Sequence, residues 1–152
     1  MIVLKKILVP TDFSEHSDKA VRYGVELAAK FNSELHVFHA VEAIPIMYGE
    51  GGGYFSYEAT KSIEDAAVEH LDALEINAPE GVNIVRKVAS GHPFVEIIRY
   101  ARENAMDLLV IGTHGKGAIA HMLLGSVAER VTRKAPCPVL VVRDEEHEFV
   151  VP

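Results

Sequence analysis

The sequence predicts an α/β fold: a single-domain, open parallel sheet with helices on both faces, Rossmann-like in layout. Three observations carry that expectation. Residues 7–10, 108–111 and 139–142 are short apolar runs without polar alternation, as expected of strands covered on both faces. Between the strand-like runs lie segments whose apolar residues recur at helical spacing. Strand and helix then alternate through the whole chain as βαβαβαβαβ, the order that builds a parallel sheet.

Each element has its own signal. The first strand, ILVP, runs into Thr11-Asp12-Phe13-Ser14, which is turn and cap chemistry. Ala20, Val21, Gly24, Leu27, Ala28 and Phe31 form the inner stripe of the first helix, which stops at Asn32-Ser33. Residues 35–41 (LHVFHAV) are the second strand. A long irregular stretch follows, with Pro45, Tyr48, the run Gly51-Gly52-Gly53, Tyr54 and Phe55. Loops of that length are functional or mobile. Ser56 or Thr60 is the expected cap of a second helix with Ile63, Ala66, Ala67, His70, Leu71 and Leu74 inward, closed by Asn77 to Gly81. Residues 82–88 alternate, and their Arg86 and Lys87 suggest a strand at or near an edge. Gly91-His92-Pro93 opens the third helix with proline in a tolerated first-turn position. Phe94, Ile97, Ile98 and Ala101 point inward, and Asn104 and Asp107 close it.

Length and composition bound the function. At 152 residues, 49% apolar and 24% charged, the chain suits one globular domain with its own core. The formal charge of −7 argues against a nucleic-acid backbone as partner, since that backbone would be repelled. Part of the acidity is a tail: residues 144–152 hold Asp144, Glu145, Glu146 and Glu148, so the domain is expected to span 1–143. Between Thr113 and Lys134 the balance reverses, with Lys116, Arg130, Arg133 and Lys134 against Glu129 alone. A basic patch in an acidic protein suits a small anion. Cys137 is the single cysteine, so no internal disulfide forms and a reducing compartment, the cytoplasm, is expected. Its place beside an apolar strand reads as a small buried hydrophobe rather than a reactive thiol. No signal peptide is legible, and no apolar run approaches the ~20 residues that span a bilayer.

The chemistry concentrates after the fourth strand. Gly112, two residues, Gly115, nine residues, then Gly125-Ser126 place a glycine-punctuated loop between a buried strand and a helix start. Glycine lets backbone approach a phosphate closely, and a helix N-terminus offers free N–H groups and partial positive charge. Two better-known phosphate motifs do not account for it. Gly112 and Gly117 have the Walker A separation, but Ala118 stands where lysine is required. Residues 115–120 fit G-x-G-x-x-A, yet they follow the fourth strand, and no acid stands about twenty residues on at a strand end.

The glycine spacing, Val9-Pro10-Thr11-Asp12 near the N-terminus and the closing APCPVLVV (135–142) together resemble the universal stress protein family, in particular its ATP-binding branch. The resemblance covers essentially the whole chain. It implies strand order 3-2-1-4-5, a homodimer through Val139–Val142, and ATP as ligand, with Mg2+ arriving on the nucleotide. By that resemblance Pro10, Thr11, Asp12 and Val41 line the adenine side. Gly112, Thr113, His114, Gly115, Lys116, Gly125, Ser126 and the backbone N–H of Val127 would then hold ribose and phosphates. With that order, the first and fourth strands flank the point where the strand order reverses, the usual ligand crevice of open α/β sheets.

Bland readings compete at several positions. Ser126 to Glu129 also spells the capping box S-x-x-E. Asp12 serves equally as a helix cap, and Lys116 equally as a solvated loop charge. His36 and His39 lie three apart on one strand and so face opposite ways, and neither His114 nor His121 has an acidic or cysteine partner nearby, which argues against a dedicated metal site. The expected function is a stress-response regulatory protein that binds ATP and acts through its dimer or a protein partner. A phosphate-transferring enzyme is the alternative, but the loop lacks a carboxylate or glutamine to orient a nucleophile, so slow hydrolysis at most is expected. A dimeric module without nucleotide is a third reading, which the intact glycines disfavour.

Overall fold

The structure, a computed structural model, describes residues 2–42, 55–113 and 124–143, with the side chains of 55–58 excepted. Nine elements follow in the predicted alternation: β1 (Lys6–Pro10), α1 (Glu15–Phe31), β2 (Glu34–Val41), α2 (Phe55–Ala73), β3 (Ile84–Ser90), α3 (Pro93–Glu103), β4 (Leu108–Gly112), α4 (Ser126–Lys134) and β5 (Val139–Val142). The five strands form one parallel sheet of order β3-β2-β1-β4-β5.

Two apolar layers cover the sheet. On one face α1 and α2 bury Ala20, Val21, Val25, Ala28 and Leu71 against Ile7, Val9, Leu35, Val37 and Val110. On the other, α3 and α4 bury Ile97, Ala101, Ala128 and Val131 against Leu8, Phe38, Leu109 and Ile111. The alternation Ile7, Leu8, Val9 therefore feeds both layers from one strand, which is why its sequence shows no polar alternation.

α1 starts where the cap chemistry placed it. Ser14 is the N-cap, its hydroxyl accepting from the Ser17 amide, and Asn32 closes the helix in the left-handed region at φ 54°. Gly24 is the close-packing point: a β-carbon there would stand 2.5 Å from a methyl of Val9. Phe31, expected inward, is 41% exposed at the last turn.

Two expectations are corrected around α2 and β3. The helix begins at Phe55, so Ser56 and Thr60 lie inside it and neither caps it. Ala67 and Leu71 are its buried positions, whereas Ile63 and Ala66 are exposed, and His70, exposed as well, stacks on Phe13. Helical spacing around Ala66-Ala67 admits two phasings, and the sheet selected the one that buries Leu71. The strand predicted at 82–88 is observed at Ile84–Ser90, because Gly81, at φ 95°, and the Val82 amide bound to the Pro79 carbonyl extend the turn. It is an edge strand, as Arg86 and Lys87 implied. The Arg86 guanidinium reaches back to the carbonyls of Leu71 (3.0 Å) and Leu74 (3.0 and 3.3 Å) and closes the C-terminal end of α2.

Among the described residues no helix is long and apolar enough to cross a membrane, and no buried side-chain polar atom lacks a hydrogen-bond partner.

Candidate functional site

The strand order reverses between β1 and β4, and the sheet itself marks that place. The β1–β4 ladder pairs Ile7 with Leu108 and Leu8 with Leu109, then stops, although β1 runs on to Pro10 and β4 to Gly112. On their other sides both strands stay paired, β1 with β2 as far as Pro10 and β4 with β5 as far as Gly112. The sheet opens at its carboxyl edge only at the switch point, which is the ligand position in open α/β sheets.

The β1 side of the opening is tightly built. Thr11 is 5% exposed and every polar group it has is engaged. Its amide donates to the Phe38 carbonyl (2.8 Å), and its carbonyl accepts from Nδ1 of His39 (2.7 Å). Its hydroxyl accepts from the Phe13 amide and donates to Ser17 Oγ, each at 3.0 Å, and Ser17 Oγ donates onward to the Ser14 carbonyl. Asp12 is not the helix cap. Its Oδ1 accepts from both the amide (3.1 Å) and hydroxyl (2.5 Å) of Ser14, which is. Phe13 stands at φ 62°, a left-handed conformation that costs a bulky residue about 1–3 kcal/mol unless its surroundings hold it. Val41, at the end of β2, is 5% exposed, and its carbonyl takes the Gly91 amide.

The β4 side is joined to a helix start. Gly112 ends β4 beside Val142, and Thr113, 2% exposed, donates its amide to the Val142 carbonyl (3.0 Å). The Thr113 carbonyl accepts from the amide of Gly125 (2.6 Å), so the strand end and the helix start are held together. Gly125 is the N-cap of α4, and Ser126 is its first helical residue. The capping-box reading of Ser126 is therefore corrected: the cap position has no side chain, and Glu129 pairs instead with Arg133 at 2.9 Å. The amides of Ser126 and Val127 are first-turn amides, the positions that carry a helix's partial positive charge. Arg130, one turn further, lies over the Phe94 ring at 4.9 Å.

Thus Pro10, Thr11 and Asp12 lie at the end of β1 on one side of the gap, and Gly112 and Thr113 at the end of β4 on the other. Gly125 is bonded to Thr113 and leads into Ser126 and Val127, and Val41 lies at the neighbouring strand end. His114, Gly115 and Lys116 lie outside the described residues, as do the Gly51–Gly53 run, Tyr48, Tyr54, His121 and the acidic tail 144–152. Sequence reasoning missed the roles of His39, weighed only as a metal ligand, and of Phe13 and His70. The Phe13 ring lies 4.4 Å from His39 and 4.0 Å from His70, nearly parallel to the latter. No periodicity signals such a stack, because its members come from a turn, a strand and a helix.

Three displaced titratable groups are found away from the opening. At the opposite end of the sheet Glu34 accepts from Nε2 of His36 (2.6 Å), and that bond holds its carboxyl below the usual range. The other nitrogen of His36 accepts from the Tyr100 hydroxyl (2.8 Å), whose value burial raises. Cys137 is half-buried, and burial pushes its thiol up, which keeps it protonated and unreactive at neutral pH. Among the described residues no three histidine, cysteine or carboxylate side chains gather as metal ligands would.

Fold and site together define a class: a doubly wound α/β domain whose crevice is flanked by a strand-end loop and a glycine-capped helix start. Comparison with known proteins narrows it. The model of the universal stress protein family matches residues 4–143, and the chain belongs to that family. A universal stress protein of Methanocaldococcus jannaschii, MJ0531, is 36% identical over 146 residues, spanning 95% of this chain and 85% of that protein. The Bacillus subtilis universal stress protein YxiE is 31% identical over 93% of this chain and 100% of its own length. Among solved structures, that of MJ0577, another universal stress protein of M. jannaschii, superposes with a TM-score of 0.83 at 27% identity, over 96% of this chain and all of the other. A universal stress protein solved in complex with cAMP matches with a TM-score of 0.61 at 28% identity, over 93% of this chain and 98% of that one.

Proposed function

We propose that this chain is an adenine-nucleotide-binding regulatory member of its family, holding ATP in the crevice between β1 and β4. The observation that carries the reading is the opening of the β1–β4 ladder beyond Leu8 and Leu109, beside a β4 end bonded to the cap residue of α4. Pro10, Thr11, Asp12 and Val41 contact the base and ribose; Gly112, Thr113, Gly125, Ser126 and Val127, with His114, Gly115 and Lys116 of the connecting loop, contact ribose and phosphates. A purine fits the apolar end near Val41, and the phosphates fit the helix start. The cAMP-bound relative supports an adenine ligand for this fold.

Mg2+ comes with the triphosphate and keeps most of its waters, needing few protein ligands. Turnover is slow at most: among the described residues at the opening Asp12 is the sole carboxylate, and its Oδ1 is committed to Ser14. The cytoplasm is the proposed compartment, and a homodimer through β5 the proposed assembly.

The test is nucleotide release from freshly purified protein by acid denaturation, with calorimetric titration of stripped protein by ATP. Micromolar binding that disappears in Gly115→Val combined with Ser126→Ala supports the reading. A wild-type protein that carries no nucleotide and gives no heat with ATP, ADP or AMP overturns it. Turnover of about 1 per second or faster would instead make the chain an enzyme.

A further inference from the structure

The Phe13 ring contacts two histidines from different elements. His39 projects from β2 and lies 4.4 Å from it at 40°; His70 belongs to the last turns of α2 and stacks at 4.0 Å and 10°. The same His39 donates from Nδ1 to the Thr11 carbonyl, so one imidazole grips the segment on both sides of Asp12. The Phe13 amide is bound by the Thr11 hydroxyl, and its backbone sits at φ 62°. Such a conformation persists only where the surroundings over-determine it, and strain of this kind clusters at ligand-binding sites. Here the surroundings include the two imidazoles and the core against which Phe13 packs.

His70 is exposed, and its ring carries a contact from α2 to the β1–α1 turn. The position of α2 is thereby transmitted to Phe13, and through one peptide to Asp12. We propose that Phe13, His39 and His70 are positioning residues that set nucleotide affinity by coupling α2 to the Thr11–Asp12 segment; this rests on the nucleotide reading above. Coupling is reciprocal, so bound ATP also holds the end of α2 more firmly. In this proposal His70 acts on the nucleotide through the Phe13 ring.

The test is calorimetric titration of the stripped, full-length chain with ATP, alongside thermal unfolding and amide exchange of residues 67–73. A stacked aromatic pair of this kind corresponds to about a fivefold change in affinity. His70→Ala is expected to bind ATP about fivefold more weakly, and His70→Phe to return to within about twofold of wild type. Phe13→Gly removes the ring but tolerates the positive φ, and it too is expected to weaken binding. Asp72→Ala, exposed on the same helix, serves as the control and leaves affinity unchanged. ATP slows exchange at 67–73 in wild type and in His70→Phe, not in His70→Ala. A wild-type affinity in His70→Ala or Phe13→Gly, or a loss in His70→Ala that His70→Phe does not recover, overturns the coupling while the nucleotide site stands. Failure of the wild-type chain itself to bind ATP removes both readings together.

Discussion

The amide of Gly125 donates to the carbonyl of Thr113 at 2.6 Å, fastening the start of α4 to the end of β4 across the whole connecting loop. Gly125 is also the N-cap, its carbonyl accepting the Glu129 amide at 2.9 Å, which leaves Ser126 inside the first turn. Ser126→Ala is therefore expected to leave stability within about 0.5 kcal/mol of wild type, as a surface change does. ATP affinity should fall by about 1 kcal/mol, the contribution of one hydrogen bond. Ser14→Ala, at the true N-cap of α1, is the contrasting variant and should cost about 1 kcal/mol in urea unfolding. A Ser126→Ala protein that loses stability but not affinity would return that hydroxyl to a structural role.

Arg86 tests how the edge strand holds α2. Its guanidinium donates to carbonyls of Leu71 and Leu74 at the C-terminal end of the helix, where a cation is also favoured by the helix dipole. Arg86→Met keeps the aliphatic stem and removes the donors, with an expected loss of about 1–2 kcal/mol. Arg86→Lys should recover only part, because one ammonium cannot reproduce the planar fork. Equal stability of the Met and wild-type proteins would show that water replaces the cap without cost.

Gly24 sets two effects of opposite sign against each other. Alanine in a helix interior gains about 1 kcal/mol over glycine by propensity. Its β-carbon, however, would stand 2.5 Å from Val9 Cγ2 and 3.1 Å from Leu35 Cδ1, and overpacking of a filled core costs about 1–3 kcal/mol. Destabilisation is expected to win. Combining Gly24→Ala with Val9→Ala should restore part of the loss, which a double-mutant cycle measures.

Glu34 gives the fold an acid limb. The bond from His36 lowers its folded value, so the stabilisation is complete above the ordinary carboxylate range and fades as pH falls through the folded value. Glu34→Gln should flatten the dependence of the urea midpoint on pH between about 3 and 5. An unchanged acid limb in that variant would assign it to other carboxylates. Because the Glu34 side chain is one-third exposed, a modest effect is expected.

β5 presents the remaining edge of the sheet, with Leu140 37% exposed and no lysine or proline between Val139 and Val142. The proposed pairing with a second copy would satisfy that edge. Val141→Glu is expected to give monomer or aggregate where light scattering finds a wild-type dimer; an unaltered dimer rejects this interface.

Much of this architecture was legible in the chain. Unalternating runs such as 108–111 demand cover on both faces, and alternation of strand with helix demands parallel connections, so layers and element order follow from hydrophobic burial and chain geometry alone. The glycines and Ser14 marked both ends of the candidate crevice, because cap and close-approach chemistry is local. What the linear pattern left open involved choices between near-equal local solutions. The phase of α2 near Ala66-Ala67 was decided by which apolar side chains the sheet accepts, and the start of β3 by how far the turn at Gly81 extends. The cap of α4 fell to Gly125 rather than Ser126, and the Gly125 amide is held by Thr113 at the end of β4. The Phe13 stack and the Glu34–His36–Tyr100 chain belong wholly to the tertiary structure. Their members are distant in sequence or on different elements, and only the packed sheet brings their rings and donors within bonding distance.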